Sequence, residues 1–315
     1  MSIAYAQSSN EFVARRVFPV VPSDKQYDKY YEFTQADFNR VQMAQRAPST
    51  ESAEGRYRLS NNAYACDVFA LHKDIDDRER SNADAVFNLD AEASEFLTHQ
   101  SLLKEEVDFA AKYLVASVWG TTITGVASSP VAGTSVLQWN DGASDPIANI
   151  RTGIRTIKGR TGLRANKFVV SQEAWDQLVD HPDILDRIKG AASPSSPAIV
   201  LRQAIAALFE LDEVLVMGAI VNSAAENQTA SHSWISGKTA LLVHAAARPA
   251  RMTPSAGYTF AWTNYATPGT PNRSPVGIYR FRMDHLKSDR VEIESAYVQQ
   301  ITGAPLGYFF NSIVA

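Results

Sequence analysis

At 315 residues the chain is long for one compact core, which predicts one large or two moderate domains. With 45% hydrophobic and 20% charged residues the composition is that of a folded protein and excludes a disordered chain. A formal net charge of −4 excludes a protein that grips nucleic acid through a basic excess, so any contact with DNA is expected to be weak and spread over an area.

Cys66 is the only cysteine, which leaves no internal disulfide and no thiolate zinc site. Met1 to Asn10 lack the basic start and apolar run of a signal peptide. No stretch approaches the ~20 apolar residues of a membrane helix. A soluble protein made in a reducing cytoplasm is expected.

Residues 1–53 read as an extended arm. Pro19, Pro22 and Pro48 interrupt any helix, and Tyr27, Tyr30, Tyr31, Phe33 and Phe38 belong to no helical stripe. From Gly55 to Leu71 the pattern is β-like, and Ser60-Asn61-Asn62 predicts a hairpin tip. A charge cluster follows from His72 to Arg80, dense in both signs, as in a solvated or salt-bridged segment. A long helix is predicted from about Asp90 to Val118, with Phe96, Leu103, Val107, Ala110, Leu114 and Val118 on one face. Asp90, Glu92 and Glu95 suit its positive end, and at ~1.5 Å per residue it would span more than about 40 Å.

Residues 121–144, rich in Thr, Ser, Ala and Gly, read as a loop or weak strands. An α/β segment begins near Asp145. Ile147, Ile150, Ile154 and Ile157 mark an amphipathic helix, and Phe168-Val169-Val170 a buried strand. Ser171 caps a helix to Leu178, and Pro182 opens another that ends at Gly190. A helix over Ile199–Phe209 and strands at Val214–Met217 and Ala240–Val243 follow. Alternation at Tyr279–Met283 and Val291–Tyr297 predicts two closing strands. The tail carries Tyr308, Phe309 and Phe310, an apolar ending that suggests docking.

Sites of chemistry are hard to find. Gly237-Lys238-Thr239 resembles the end of a phosphate loop, but position 232 is His where that loop needs Gly, and a strand rather than a helix follows. The six histidines are scattered, without a pair at i, i+4 spacing. Asp74, Asp76 and Asp77 lack the glycine and terminal glutamate of a calcium loop. No catalytic residue, cofactor site or metal site is assigned, and a non-enzymatic role is expected. The apolar side chains of the arm, hairpin and tail point instead to subunit contacts. The residues expected at such an interface are Arg15, Arg16 and Phe18, Tyr57 and Tyr64, Arg78 and Arg80, and Tyr308, Phe309 and Phe310. The arm and hairpin are expected to gain order only on neighbouring subunits.

A collinear series of motifs resembles the major capsid proteins of tailed bacteriophages. Cys66-Asp67-Val68-Phe69-Ala70-Leu71-His72-Lys73-Asp74-Ile75-Asp76-Asp77 is similar to their extended loop, and the helix before Trp119-Gly120 to their spine helix. Ser171, Trp175, Leu178, His181-Pro182 and Leu208 to Val216 are similar to their axial domain, and Val17-Phe18-Pro19 and Arg46-Ala47-Pro48 to their arm. The resemblance implies an α+β chain of the Hong Kong 97-type capsid fold. It would comprise an N-terminal arm (1–53), an extended β-hairpin loop (54–84), a peripheral domain with the spine helix (85–144 and 276–300), an axial α/β domain (145–275) and a C-terminal tail (301–315). It further implies self-assembly into hexamers and pentamers of an icosahedral shell enclosing double-stranded DNA, within a virion built in the host cytoplasm. A separate scaffolding protein, a portal and decoration proteins are the expected partners. The alternative is an encapsulin-like nanocompartment of the same fold around a protein cargo; a third, an enzyme with an unrecognised site, has no motif behind it.

Overall fold

The computed structural model describes residues 6–84, 88–189, 202–266 and 275–315. Its strands are β1 (Val20–Ser23), β2 (Tyr27–Phe33), β3 (Leu59–Ala65), β4 (Asp67–Asp76), β5 (Thr121–Val126), β6 (Ser135–Leu137), β7 (Lys167–Ser171), β8 (Glu213–Met217), β9 (Ile220–Asn222), β10 (His232–Trp234), β11 (Ala240–Val243), β12 (Gly257–Trp262), β13 (Val276–Met283), β14 (Ser288–Ile301) and β15 (Gly307–Asn311). The longer helices are α1 (Leu89–Tyr113), α2 (Pro146–Thr161), α3 (Gln172–Asp180), α4 (Pro182–Lys189) and α5 (Arg202–Phe209). The predicted starts and ends at Ile199 and Gly190 lie outside the described residues.

A six-stranded sheet runs in the order β6-β5-β15-β11-β7-β8. Its strands alternate between two cores, as a period of two requires. Phe168, Val170, Leu242, Tyr308 and Phe310 face one core, where the Ile147, Ile150, Ile154 and Ile157 stripe of α2 packs with α3, α4 and α5. Val169, Leu241, Val243, Leu215 and Phe309 face the other, against Phe109 and Tyr113 of α1 and Val13, Ala14, Val17 and Phe18. Residues 121–144 are therefore more than a loop. β5 is an inner strand, and the tail strand β15 lies between β5 and β11. The tail docks on its own subunit because Tyr308, Phe309 and Phe310 alternate into cores that need them.

The second sheet holds β1-β12-β14-β13, with β4 on the free side of β14. Helix α1 spans both sheets over about 37 Å. Ala93 and Leu97 pack on Ile75, Val291 and Ile293 of the second sheet, and its other end enters the six-stranded sheet's core. It starts on Asn88, whose side chain accepts from the Ala91 N–H, and stops at Tyr113, whose carbonyl accepts a 2.6 Å hydrogen bond from Trp119 Nε1. The predicted face is wrong by part of a turn. Phe96 is half exposed, while Ala93, Leu97, Glu105, Glu106, Phe109 and Tyr113 are buried. Apolar periodicity misses this face because two of its members are carboxylates.

Those carboxylates hold the N-terminal segment. Glu106 Oε2 accepts from the N–H groups of Val13 (3.0 Å) and Ala14 (2.8 Å), which open the helical turn Ala14–Val17. Glu105 pairs with Arg15, and Arg16 pairs with Glu213. Residues 12–23 are thus built into their own subunit, through this clamp and through parallel pairing of β1 with β12. The extended arm of 1–53 is corrected accordingly. The hairpin also differs from expectation. Ser60, Asn61 and Asn62 lie within β3, paired with Glu32, Tyr31 and Tyr30 of β2, and Asn62 Nδ2 donates to Glu32 (2.8 Å). The hairpin is β2–β3, with residues 34–58 as its tip, because the aromatic run of β2 favours a strand and supplies the partner that a local turn would lack.

Burial pushes the Glu106 carboxyl up to about 7, against the pull of its two N–H donors. An acid whose folded pKa lies above its unfolded value stabilises the fold less as pH rises. The chain should therefore lose on the order of 3 kcal/mol between about pH 5 and 8 from this group. Asp37, Asp74, Asp77 and Asp90, all held below the usual carboxylate range, act only in more acidic solution. Urea midpoints of the wild type should fall over that window, and Glu106→Gln should flatten the trend. An identical slope in the variant would assign the pH dependence elsewhere.

Candidate assembly surface

The root of the β2–β3 hairpin is fixed by aromatic packing. Tyr64 stacks on Phe260 with centroids 4.3 Å apart and planes at 7°, and Tyr30 stacks on the same ring at 5.4 Å. Tyr64 OH and Ser23 Oγ share a 2.6 Å hydrogen bond, and Trp262 Nε1 donates to the Asp24 carbonyl at 3.0 Å. Cys66 is buried in this root, and burial pushes its thiol up to about 11, which makes it a packing residue and not a reactive thiolate.

The tip is ordered by its own polar bonds. The carboxylate of Asp37 accepts from Arg58 through both the backbone N–H (3.0 Å) and Nε (3.1 Å), and these bonds hold it below the usual range. The Gln42 amide closes the loop, accepting from Arg56 N–H at 2.7 Å and donating to Arg56 (2.9 Å) and Asp37 (3.1 Å) carbonyls. Its apolar groups are not covered. Phe33, Phe38 and Tyr57 touch one another with centroids 5.8–5.9 Å apart, yet Phe38 and Tyr57 remain more than half exposed. Val41 is 89% and Met43 93% exposed, and every residue from 43 to 63 is exposed. So dense an apolar surface on a protruding, internally ordered element marks an interaction site.

The residues expected at an interface divide sharply. Phe18, Tyr308, Phe309 and Phe310 are core residues of their own subunit, and Tyr64 belongs to the hairpin root. Arg15 and Arg16 are committed to Glu105 and Glu213. Arg80 reaches Asp90 (2.9 Å) and Asp289 (3.1 Å), so the charge cluster is salt-bridged within the subunit, with Asp77 on Arg282 and Asp74 on Arg290. Tyr57 and Arg78 alone keep exposed side chains without an ion pair. Tyr27, Tyr31 and Phe38, whose apolar rings point to subunit contacts in the sequence, are exposed on the hairpin, and Val41 and Met43 join them without a sequence signal of their own. The signal for the three rings is the aromatic run read as part of the arm.

The residues with candidate chemistry are held in packing and capping contacts. His181 is buried, with Nδ1 accepting from the Asp183 N–H (3.3 Å) at the start of α4 and Nε2 lying 3.2 Å from Ser144 Oγ. Lys238 leads into buried strand β11 and bonds the Ala315 carbonyl, so the phosphate-loop likeness ends there. Among the described residues no three His, Cys, Asp or Glu side chains are grouped to hold a metal ion.

Comparison with known proteins agrees with this geometry. The family model for phage major capsid protein E matches residues 126–267. The major capsid protein of Burkholderia phage BcepMu is 22% identical over 219 residues, 70% of this chain and 67% of the relative. That of Pseudomonas phage JBD67 is 22% identical over 317 residues, covering 100% of this chain and 96% of the relative. In structure, a phage-related protein from Bordetella bronchiseptica aligns with a TM-score of 0.70 at 19% identity, covering 98% of this chain and 93% of the other. The capsid of cyanophage P-SCSP1u aligns at 0.62 and 10% identity, covering 99% and 90%. An encapsulin from Synechococcus elongatus shares the fold at 0.55 and 8% identity, covering 100% and 92%. Fold, family model and curated relatives converge: the chain has the Hong Kong 97-type capsid fold and is similar to the phage major capsid proteins.

Proposed function

We propose that the chain forms the hexamers and pentamers of an icosahedral shell that encloses phage double-stranded DNA. The observation that carries this reading is the β2–β3 hairpin: a fixed root, an ordered tip, and apolar side chains that the subunit cannot cover. A projection that docks on a different surface of a second copy makes a head-to-tail contact, and such contacts close into rings when the rotation permits. Repeated over a shell, modest contact energies become a stable wall. The role is mechanical and not catalytic. The net charge of −4 suits a wall that confines DNA through weak, non-specific contact.

In this assignment the second sheet with α1 forms the peripheral domain and the six-stranded sheet with α2–α5 the axial domain. β5, β6 and β15 join the axial unit, and the extended loop is the β2–β3 hairpin. A separate scaffolding protein, a portal and decoration proteins complete the head in the host cytoplasm.

Particles purified from cells expressing the head genes should hold long double-stranded DNA protected from nuclease. Particles filled with a protein cargo and free of DNA would favour the nanocompartment alternative. Val41→Ser with Met43→Ser should change subunit stability by no more than ~0.5 kcal/mol each, because both sites are exposed. The same pair should sharply reduce particle yield by sedimentation. Normal yield would remove the hairpin tip from the assembly contact.

A further inference from the structure

Two helical faces on one side of the six-stranded sheet carry opposite charges that form no ion pairs with each other or with other acids and bases among the described residues, His181 beside Asp183 excepted. On α2 the exposed positions include Arg151, Arg155 and Lys158, spaced four and three residues apart and therefore aligned in one stripe. Among the described residues none of the three makes an ion pair or a side-chain hydrogen bond. The residues outside the described ranges contain no Asp or Glu, so no other carboxylate of the chain can be the missing partner. Of the other exposed positions of α2, Ala148, Thr152 and Gly159 are small and would let a second surface approach the cations closely, while Arg160 donates to the Gly120 carbonyl at 2.6 Å.

The next two helices carry the complement. Asp176 and Asp180 of α3 and Asp183 and Asp186 of α4 are all exposed. Asp176 accepts only from Gln172 Nε2 (2.7 Å), and the nearest basic group to Asp183 is the buried His181 at 3.8 Å. Asp180 and Asp186 have no ion pair among the described residues, and Arg187 forms none with them.

Local helix physics accounts for only part of each face, since Lys158 in the last turn of α2 and Asp183 in the first turn of α4 suit the helix dipole. Like charges at i, i+3 and i, i+4 disfavour the helix that bears them, and both faces repeat that pattern. Asp180 stands in the last turn of α3, at the negative end of the helix dipole. Solubility is served by interspersed signs, not by two segregated faces. α2 packs over β11 and β15, whereas α3 packs over β7 and β8 at the sheet's edge, so the two faces are separate surfaces of one domain.

We propose that they are the two halves of one joint between copies of this chain: the cationic stripe of α2 on one subunit meets the α3–α4 carboxylates of the next. The inference rests on the assembly proposed above and adds the surfaces that set its register. Because the halves differ, the contact is head-to-tail, as a ring requires. Charges so arranged speed encounter and reject misaligned neighbours, and added salt weakens them.

Charge swapping in the full chain tests the joint. Arg151→Glu, Arg155→Glu and Lys158→Glu together should cut particle yield about tenfold or more at about 0.15 M salt, because like charges then face each other. Asp180→Lys, Asp183→Lys and Asp186→Lys together should do the same. The chain carrying all six substitutions restores complementarity with the signs exchanged, and its yield should return to within about threefold of wild type. Thermal unfolding checks that each variant folds; for a triple that does not, Gln at the same three positions is used and should also lower the yield. Wild-type yield from either triple, or a six-fold chain no better than the triples, would overturn the joint and leave the shell reading standing. A wild-type chain that forms no particles would overturn both.

Discussion

The structure depends on where the C-terminal strand goes. β15 lies between β5 and β11, parallel to one and antiparallel to the other. Its side chains alternate, with Tyr308 and Phe310 in one core and Phe309 in the other. A single five-residue strand therefore closes both hydrophobic cores, and it joins the segment after α1 to the segment after α2 in one sheet. Gly307 follows from the same constraint, since a Cβ there would stand 2.1 Å from the Trp119 ring. Without β15 the six-stranded sheet would be parted between β5 and β11.

Around that sheet the subunit is a continuous packed body. α1 ties the two sheets together, and the Glu105–Glu106 clamp binds residues 13–15 to it. The β2–β3 hairpin is the exception. Its root is packed by stacked aromatic rings, but beyond Phe33 the chain packs mainly on its own side chains, with Gln35 Nε2 donating to the Arg160 carbonyl of α2. A stiff projection on a stiff body transmits position, which is what a subunit needs if neighbours are to be placed at fixed angles. Segregated charge on α2 and on α3–α4 belongs to the same logic, with direction supplied by sign.

Much of this was legible from residues alone, and the reason is physical. The α2 stripe and strands β7, β8 and β11 are buried by apolar side chains at the expected period, so pattern and packing coincide. Legibility failed where polar groups do the burying. The inward face of α1 includes Glu105 and Glu106, which no apolar count selects, and their partners lie about ninety residues away. It also failed where a strand's partner is distant. Ser60-Asn61-Asn62 reads as a turn until β2 is known to lie beside it. The tail aromatics signalled docking correctly but could not say on which copy. Phe18, Tyr64, Tyr308, Phe309 and Phe310 left the expected interface for that reason, buried by their own fold, and Arg15, Arg16 and Arg80 left it through ion pairs within the subunit, so that only Tyr57 and Arg78 stayed exposed and free of ion pairs.

In the proposed shell the hairpin tip is covered by a second copy, while the N-terminal segment is covered by its own subunit. Amide hydrogen exchange on free subunits and on purified particles measures this directly. Residues 40–55, outside the β2–β3 ladder, should exchange quickly in the subunit and become protected in the particle, whereas residues 13–18 should be protected in both. Equal protection of the tip in the two states, or a tip that stays unprotected in the particle, would contradict the account.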